Sequence, residues 1–180
     1  MISMLSRKRR PRGAAVPRRR VLFLCTGNSC RSQIAEGLIN RLDLNGGRFE
    51  GFSAGTQPAG SVHPLAIRAA GELHADLTHH RPKSWETLRG EPFDFVITLC
   101  DRAAIEANPL WLGAPVIGHW PFEDPIKFRG TEEEKLAVFR KLAGEILRCI
   151  ERFIALPVEM LDRQTLAQQI ERIGPTSRGA

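Results

Sequence analysis

No stretch of the 180 residues approaches the run of about 18 apolar side chains that crosses a bilayer, so the sequence offers no membrane-spanning helix. The four cysteines, at 25, 30, 100 and 149, form no Cys-x-x-Cys pair, and no histidines stand at zinc-finger spacing, so no metal site is expected. Residues 1–20 contain no acid but hold eight of the 26 Lys and Arg residues. The remainder has 18 basic and 20 acidic residues, so the net charge of +6 belongs to a basic extension and no specific nucleic-acid partner is expected. Only a few apolar residues separate its arginines from Cys25, too short a stretch for a signal-peptide core. Without a secretion signal, a reducing cytoplasm is the expected compartment, and cysteines there are more often catalytic than structural. Internal repeats are absent.

What is present suits one domain, because 42% hydrophobic residues in a chain of 180 can fill a core. Patterning predicts strands at 20–24, 48–54, 93–99 and 114–119. Helices are expected at 32–43, 63–75 and 131–156, with Pro157 breaking the last and a further helix over 160–173. Alternation of this kind implies an α/β fold with a parallel sheet and helices on both faces. The chain then divides into a basic extension (1–18), a catalytic domain (19–156) and a C-terminal helix and tail (157–180). Ligands in such folds bind beyond the carboxyl ends of the strands, where Cys25, Cys100 and the 119–125 segment all fall.

The first of those strand ends reads Cys25-Thr26-Gly27-Asn28-Ser29-Cys30-Arg31-Ser32. Gly27 and Asn28 tolerate positive φ, and the amphipathic segment that follows begins a helix, so the loop occupies a helix N-terminus. Unpaired N–H groups and the positive end of the helix dipole collect there, and Arg31 adds a planar fork of donors, so a tetrahedral oxyanion is the expected ligand. The same field favours the thiolate of Cys25 as a nucleophile. An expelled oxygen needs a proton, and Asp124, fixed by Pro125, is the expected general acid. Cys149 falls in the apolar stripe of the long helix and is expected in the core, and His119 and Trp120 are expected to pack.

Four motifs in order, Cys25 to Ser32, Ser53-Ala-Gly-Thr56, Thr98-Leu-Cys100-Asp101 and His119-Trp-Pro-Phe-Glu-Asp124-Pro125, resemble the arsenate reductases built on the low-molecular-weight protein tyrosine phosphatase fold. The resemblance spans about residues 19–156 and implies a three-layer sandwich around a four-stranded parallel sheet. It implies reduction of arsenate to arsenite through a cysteine–arsenate adduct, and with it arsenic detoxification. Cys25 is then the nucleophile, Thr26 to Ser32 the oxyanion-binding loop, Asp124 the acid and Cys100 a second redox cysteine. Asn28, Ser32, Ser53 and His80 match positions that steady the loop. Phosphatases of this fold usually place aromatic residues after Asp-Pro, whereas this chain continues Ile126-Lys127 and has no tyrosine. Phosphomonoester hydrolysis is therefore the alternative, and a non-catalytic oxyanion-binding protein a third. Thioredoxin-coupled reductases carry a third cysteine seven or eight residues after the second, but Ala107 and Asn108 stand there. Three routes stay open: direct reduction of a Cys25–Cys100 disulfide, a role for Cys30, or an external thiol such as glutathione with glutaredoxin. The resemblance implies no bound cofactor, a thiol or redox protein such as thioredoxin as reductant, phosphate and sulfate as competing anions, no membrane partner and a monomer.

Overall fold

The computed structural model describes residues 17–43, 47–107 and 111–175. Asn108 and residues 1–16 of the basic extension lie outside the described residues. Four parallel strands, β1 (Arg19–Cys25), β2 (Phe49–Gly55), β3 (Phe95–Thr98) and β4 (Val116–His119), form one sheet in the order β2-β1-β3-β4. The helices are α1 (Arg31–Leu42), α2 (Pro64–Glu72), α3 (Asp101–Glu106), α4 (Glu132–Ile154) and α5 (Arg163–Ile173), with 3₁₀ turns at Trp85–Thr87 and Pro125–Lys127. This is the α/β sandwich expected from the sequence.

Successive side chains of a strand point to opposite faces, so the full burial of Val21, Phe23 and also Leu22, Leu24 means that both faces of β1 are covered. Each such apolar side chain contributes about 1.5–3 kcal/mol of burial. The long α4 begins at a capping box between Thr131 and Glu134 and buries Leu136, Phe139, Leu142, Ala143, Ile146, Cys149, Ile150 and Phe153 along one stripe. Cys149 is thus in the core, as the sequence predicts. After Pro157 the chain returns as α5, which packs Leu166, Ile170 and Ile173 into the same core.

Several boundaries differ from the sequence-based expectation. The fourth strand starts at Val116 and not at 114, because Gly113 (φ 82°) and Ala114 (φ 47°) occupy the left-handed region and turn the chain. The last helix starts at Arg163 and not at 160, because the Asp162 carboxylate accepts from Thr165 N at 2.9 Å and caps it there. The short α3, directly after Cys100, was not expected; only Ala103 of its six residues is buried, so it carries no apolar periodicity to detect.

Both rims of the sheet are closed by side chains. On β2, Asn40 of α1 accepts from Gly51 N (2.7 Å) and donates to Gly51 O (3.0 Å), the pair of bonds a neighbouring strand would make. A Cβ on Gly51 would sit 2.2 Å from Ile39 Cγ2, so only glycine lets α1 come this close. On β4, Glu171 of α5 accepts from His119 N at 3.0 Å.

Candidate active site

The strand register sets Cys25 opposite Gly55, and Leu24, Thr98 and His119 in one row, so the carboxyl ends of all four strands meet at one end of the sheet. From there residues 26–30 cross into α1 as a loop whose carbonyls are tied outward. Cys25, Thr26, Gly27 and Ser29 accept from the N–H groups of Thr56 (3.2 Å), Gln57 (2.8 Å), Ala59 (2.9 Å) and His63 (2.9 Å), and Cys30 O accepts from Ile34 N at 2.9 Å. The N–H groups of Thr26 to Cys30, by contrast, donate to no acceptor among the described residues. The first turn of α1 has no acidic residue and no side-chain cap. A helix N-terminus left in that condition, with free N–H groups, is built for an anion. Asn28 supplies the positive φ (46°) that this path requires, and Gly27, which would tolerate one as well, does not adopt it. Gly55 matters for a different reason, since a Cβ there would lie 2.6 Å from Thr26 O and 2.9 Å from Asn28 N.

Arg31 is buried (6% exposed). Its Nη1 donates to Phe122 O (3.2 Å), and its Nη2 meets Asp124 Oδ2 at 3.2 Å. Its Nε has no partner among the described residues. A buried donor without an acceptor costs about 1–3 kcal/mol, a deficit that a bound oxyanion would remove. The segment that carries Asp124 is steered by β3, as Trp120 N and Phe122 N donate to Thr98 O (2.8 Å) and Leu99 O (3.1 Å). Asp124 Oδ1 also accepts from Ile126 N at 3.2 Å, which caps the 3₁₀ turn. The acid expected from the sequence is therefore beside the loop.

The hydrogen bonds of Asn28 and Ser32 define the environment of Cys25. Lys83 N, which can only donate, points at Asn28 Oδ1 (2.8 Å), so the Asn28 amide N–H groups face Ser32 Oγ (2.8 Å) and Ser53 Oγ (2.9 Å). Ser32 Oγ thus accepts from Asn28, and its one proton is free for Cys25 Sγ at 2.9 Å. Ser53 Oγ–H in turn donates to the Glu36 carboxylate. Gln33 Nε2 donates to Asn28 Oδ1 and to Arg81 O (both 3.1 Å), which turns its Oε1 to His80 Nδ1 at 2.8 Å and makes that nitrogen the donor. Ser53 and His80 therefore join the network, one directly and one through Gln33.

Gln33, Glu36 and Lys83 went unnoticed in the sequence. The available signal is the cluster of polar residues Ser32, Gln33 and Glu36 interleaved with the buried apolar positions Ile34, Ala35, Leu38 and Ile39 of α1.

The four thiols are free and differ in setting. Burial, with only partial relief from Ser29 Oγ, pushes the Cys30 thiol up to about 12, and burial pushes Cys149 up to about 11. Cys100, two residues beyond β3, is the N-cap of α3, with its Sγ 3.5 Å from Thr26 Oγ1, so the second cysteine reaches the loop next to Cys25. His119 and Trp120, expected to pack, differ from one another. Trp120 is fully buried and donates to Ile170 O (2.8 Å), while His119 bonds Thr98 Oγ1 and Asp101 Oδ1. An open depression of about 840 Å³ bounded by Glu86, Arg89, Trp111 and Leu112 contains none of these residues. Among the described residues no cluster of His, Cys, Asp and Glu could hold a metal ion, and no helix is long and apolar enough to cross a membrane.

A free-amide loop over a cysteine, an arginine inside it and an Asp-Pro beside it define a class of α/β proteins that bind a tetrahedral oxyanion above a nucleophilic sulfur. The chain belongs to the low molecular weight phosphotyrosine protein phosphatase family, whose model matches residues 20–167. An arsenate reductase of Halalkalibacterium halodurans is 39% identical over 133 residues, 74% of this chain and 93% of that protein. A glutaredoxin arsenate reductase of Synechocystis is 31% identical, covering 76% of this chain and 97% of its own. Among solved structures, an arsenate reductase in the phosphate-binding state superposes with a TM-score of 0.64 at 31% identity, over 76% of this chain and 97% of that one.

Proposed function

We propose that the protein is a thiol-dependent arsenate reductase. The Cys25 thiolate attacks arsenate held by the loop amides and Arg31; a sulfur–arsenic bond forms, and one arsenate oxygen leaves as water with a proton from Asp124. The anion takes over donors of Arg31 that now face Asp124, which releases the carboxyl group for that work. The Cys100 thiolate then attacks Cys25 Sγ. A disulfide forms, the sulfur–arsenic bond breaks with its electron pair remaining on arsenic, and arsenite departs. Two thiols are oxidised and arsenic(V) becomes arsenic(III), so an external reductant must restore the pair.

One observation carries the choice of reductase over phosphatase: the Cys100 sulfur lies on Thr26 of the oxyanion loop. Phosphomonoester hydrolysis has no use for a second thiol there. Cys30 is the weaker attacker, because its raised pKa leaves it neutral at physiological pH. With Ala107 at the first position where thioredoxin-coupled reductases place a third cysteine, and a glutaredoxin-named relative, glutathione with glutaredoxin is the favoured reductant. Phosphate and sulfate compete with arsenate for the loop. The working compartment is the cytoplasm, the working form a monomer, and residues 1–18 stand outside the catalytic domain.

The test is a set of parallel assays: arsenate with glutathione and glutaredoxin, arsenate with thioredoxin, and an aryl phosphate. Arsenate-dependent thiol oxidation, abolished in Cys100→Ser while a residual aryl-phosphate activity persists, supports the reading. Rapid aryl-phosphate turnover without arsenate-dependent thiol oxidation makes the protein a phosphatase. Full arsenate turnover by Cys100→Ser with glutathione makes the external thiol the attacker.

A further inference from the structure

Cys100 lies between two residues held by a single imidazole. His119, at the end of β4, has Nδ1 2.7 Å from Thr98 Oγ1 and Nε2 2.9 Å from Asp101 Oδ1. A carboxylate only accepts, so Nε2–H donates to Asp101. The ring therefore ties the residue two before Cys100 to the residue directly after it. On the strand side Cys100 is already fixed, because Leu99 N donates to Leu24 O (2.7 Å) and Leu99 O accepts from Phe122 N (3.1 Å). On the helix side little holds it: α3 has six residues and buries one of them, Ala103. Its side-chain anchors to the rest of the protein reach solvent, the His119–Asp101 pair included, where the Asp101 side chain is 83% exposed, and likewise Gln57 Nε2 to Glu106 Oε1 at 3.3 Å. His119 is itself braced by α5, through Glu171 on its backbone N–H.

We infer that His119 is a positioning residue for the resolving thiol: by pinning Asp101 against Thr98, it keeps the Cys100 sulfur at Thr26, where it can reach Cys25. The inference rests on the reductase reading only for its biological meaning. The pin governs any oxidation that joins Cys25 to Cys100. His119 touches neither the oxyanion loop nor Arg31 nor Asp124 by any hydrogen bond or ion pair among the described residues, so anion binding and attack by Cys25 do not depend on it. Short attack distances are sensitive to small displacements, and a misplacement on the order of 1 Å can cost a hundredfold in rate.

The experiment times formation of the Cys25–Cys100 disulfide by peptide mapping, after one equivalent of arsenate and, separately, after hydrogen peroxide, which oxidises Cys25 to a sulfenic acid that Cys100 condenses with, releasing water. His119→Ala and Asp101→Ala should each slow disulfide formation about tenfold to a hundredfold with both oxidants. His119→Gln, whose amide can still donate to Asp101, should recover much of the rate. Protection of Cys25 from alkylation by arsenate, and the melting temperature, should stay at wild-type values, which a merely structural role for His119 would not allow. Wild-type disulfide rates in both alanine variants overturn the inference, as does an equal loss of anion protection. A wild-type protein that forms the disulfide with peroxide but not with arsenate refutes the reductase reading and leaves the pin to be judged on the peroxide rates.

Discussion

Arg31 is bound to Asp124 at 3.2 Å through Nη2 while its buried Nε has no partner among the described residues. The guanidinium thus holds the acid in place and keeps a donor in reserve. Lysine would keep the charge but not the planar fork. Arg31→Lys should lower arsenate-dependent thiol oxidation by about a hundredfold to a thousandfold, the usual effect of losing an oxyanion donor. The initial rate at saturating thiol measures it, and a loss under tenfold would show that the loop amides suffice.

Ser32 has one hydroxyl proton, and Asn28 leaves it for Cys25. Iodoacetamide at pH 6 should therefore modify Cys25 and spare Cys30 and Cys149, whose thiols are pushed up to about 12 and about 11. Arsenate, phosphate and sulfate should each slow the reaction. Ser32→Ala removes the hydroxyl that meets Cys25 Sγ at 2.9 Å and should slow its alkylation at pH 6. Equal rates in the two proteins would show that the loop amides alone activate the sulfur.

Gly55→Ala places a methyl group 2.6 Å from Thr26 O, against backbone that is itself hydrogen-bonded to Gln57 N. The loop must shift, so anion protection and turnover should fall well before the fold is lost. Activity measured beside the melting temperature separates the two, and unchanged kinetics would mean that the β2 end yields instead.

The Cys149 thiol, pushed up from 9.0 to about 11 by burial, makes stability depend on alkaline pH. A group whose pKa is raised on folding stabilises fully below its unfolded pKa and loses that contribution as pH rises toward the folded value. Urea midpoints should thus decline between pH 9 and pH 11. Cys149→Ser keeps a donor for Ile173 O and cannot ionise there, so its decline should be shallower. Parallel curves would place the alkaline loss elsewhere, with Cys30 the next group to examine.

Residues 2–16 carry five Lys or Arg, no acid and few large apolar groups. Deleting them should leave melting temperature and arsenate turnover unchanged while weakening salt-sensitive retention on a polyanion column. A fall in either would give the extension a docking role.

Much of the fold and the loop could be read from residue order. The run Val21 to Leu24 and the Cys-to-Arg loop are local signals, fixed by hydrophobicity and by the demands of a helix N-terminus. Asp124 could be proposed for the same reason, from Asp-Pro chemistry. The helix after Cys100 could not, because α3 has no apolar stripe. Nor could the role of Gln33, Glu36 and Lys83, since which buried amide faces which hydroxyl is decided by partners up to 55 residues away, as Lys83 N to Asn28 Oδ1 illustrates. His119 read as packing because histidine before tryptophan carries no local pattern. It meets its two partners only when β3 and β4 pair in register, which sets His119 beside Thr98.

The rims closed by Asn40 and Glu171 bear on behaviour at high concentration. An open strand edge is a template on which a second chain can add, and from there fibrils grow. Here the Asn40 amide already occupies Gly51 as a neighbouring strand would, and a carboxylate stands at His119, where an incoming backbone carbonyl would meet negative charge. Growth of the sheet by accretion is opposed at both positions. At high concentration the protein is therefore spared one common path to insoluble deposits.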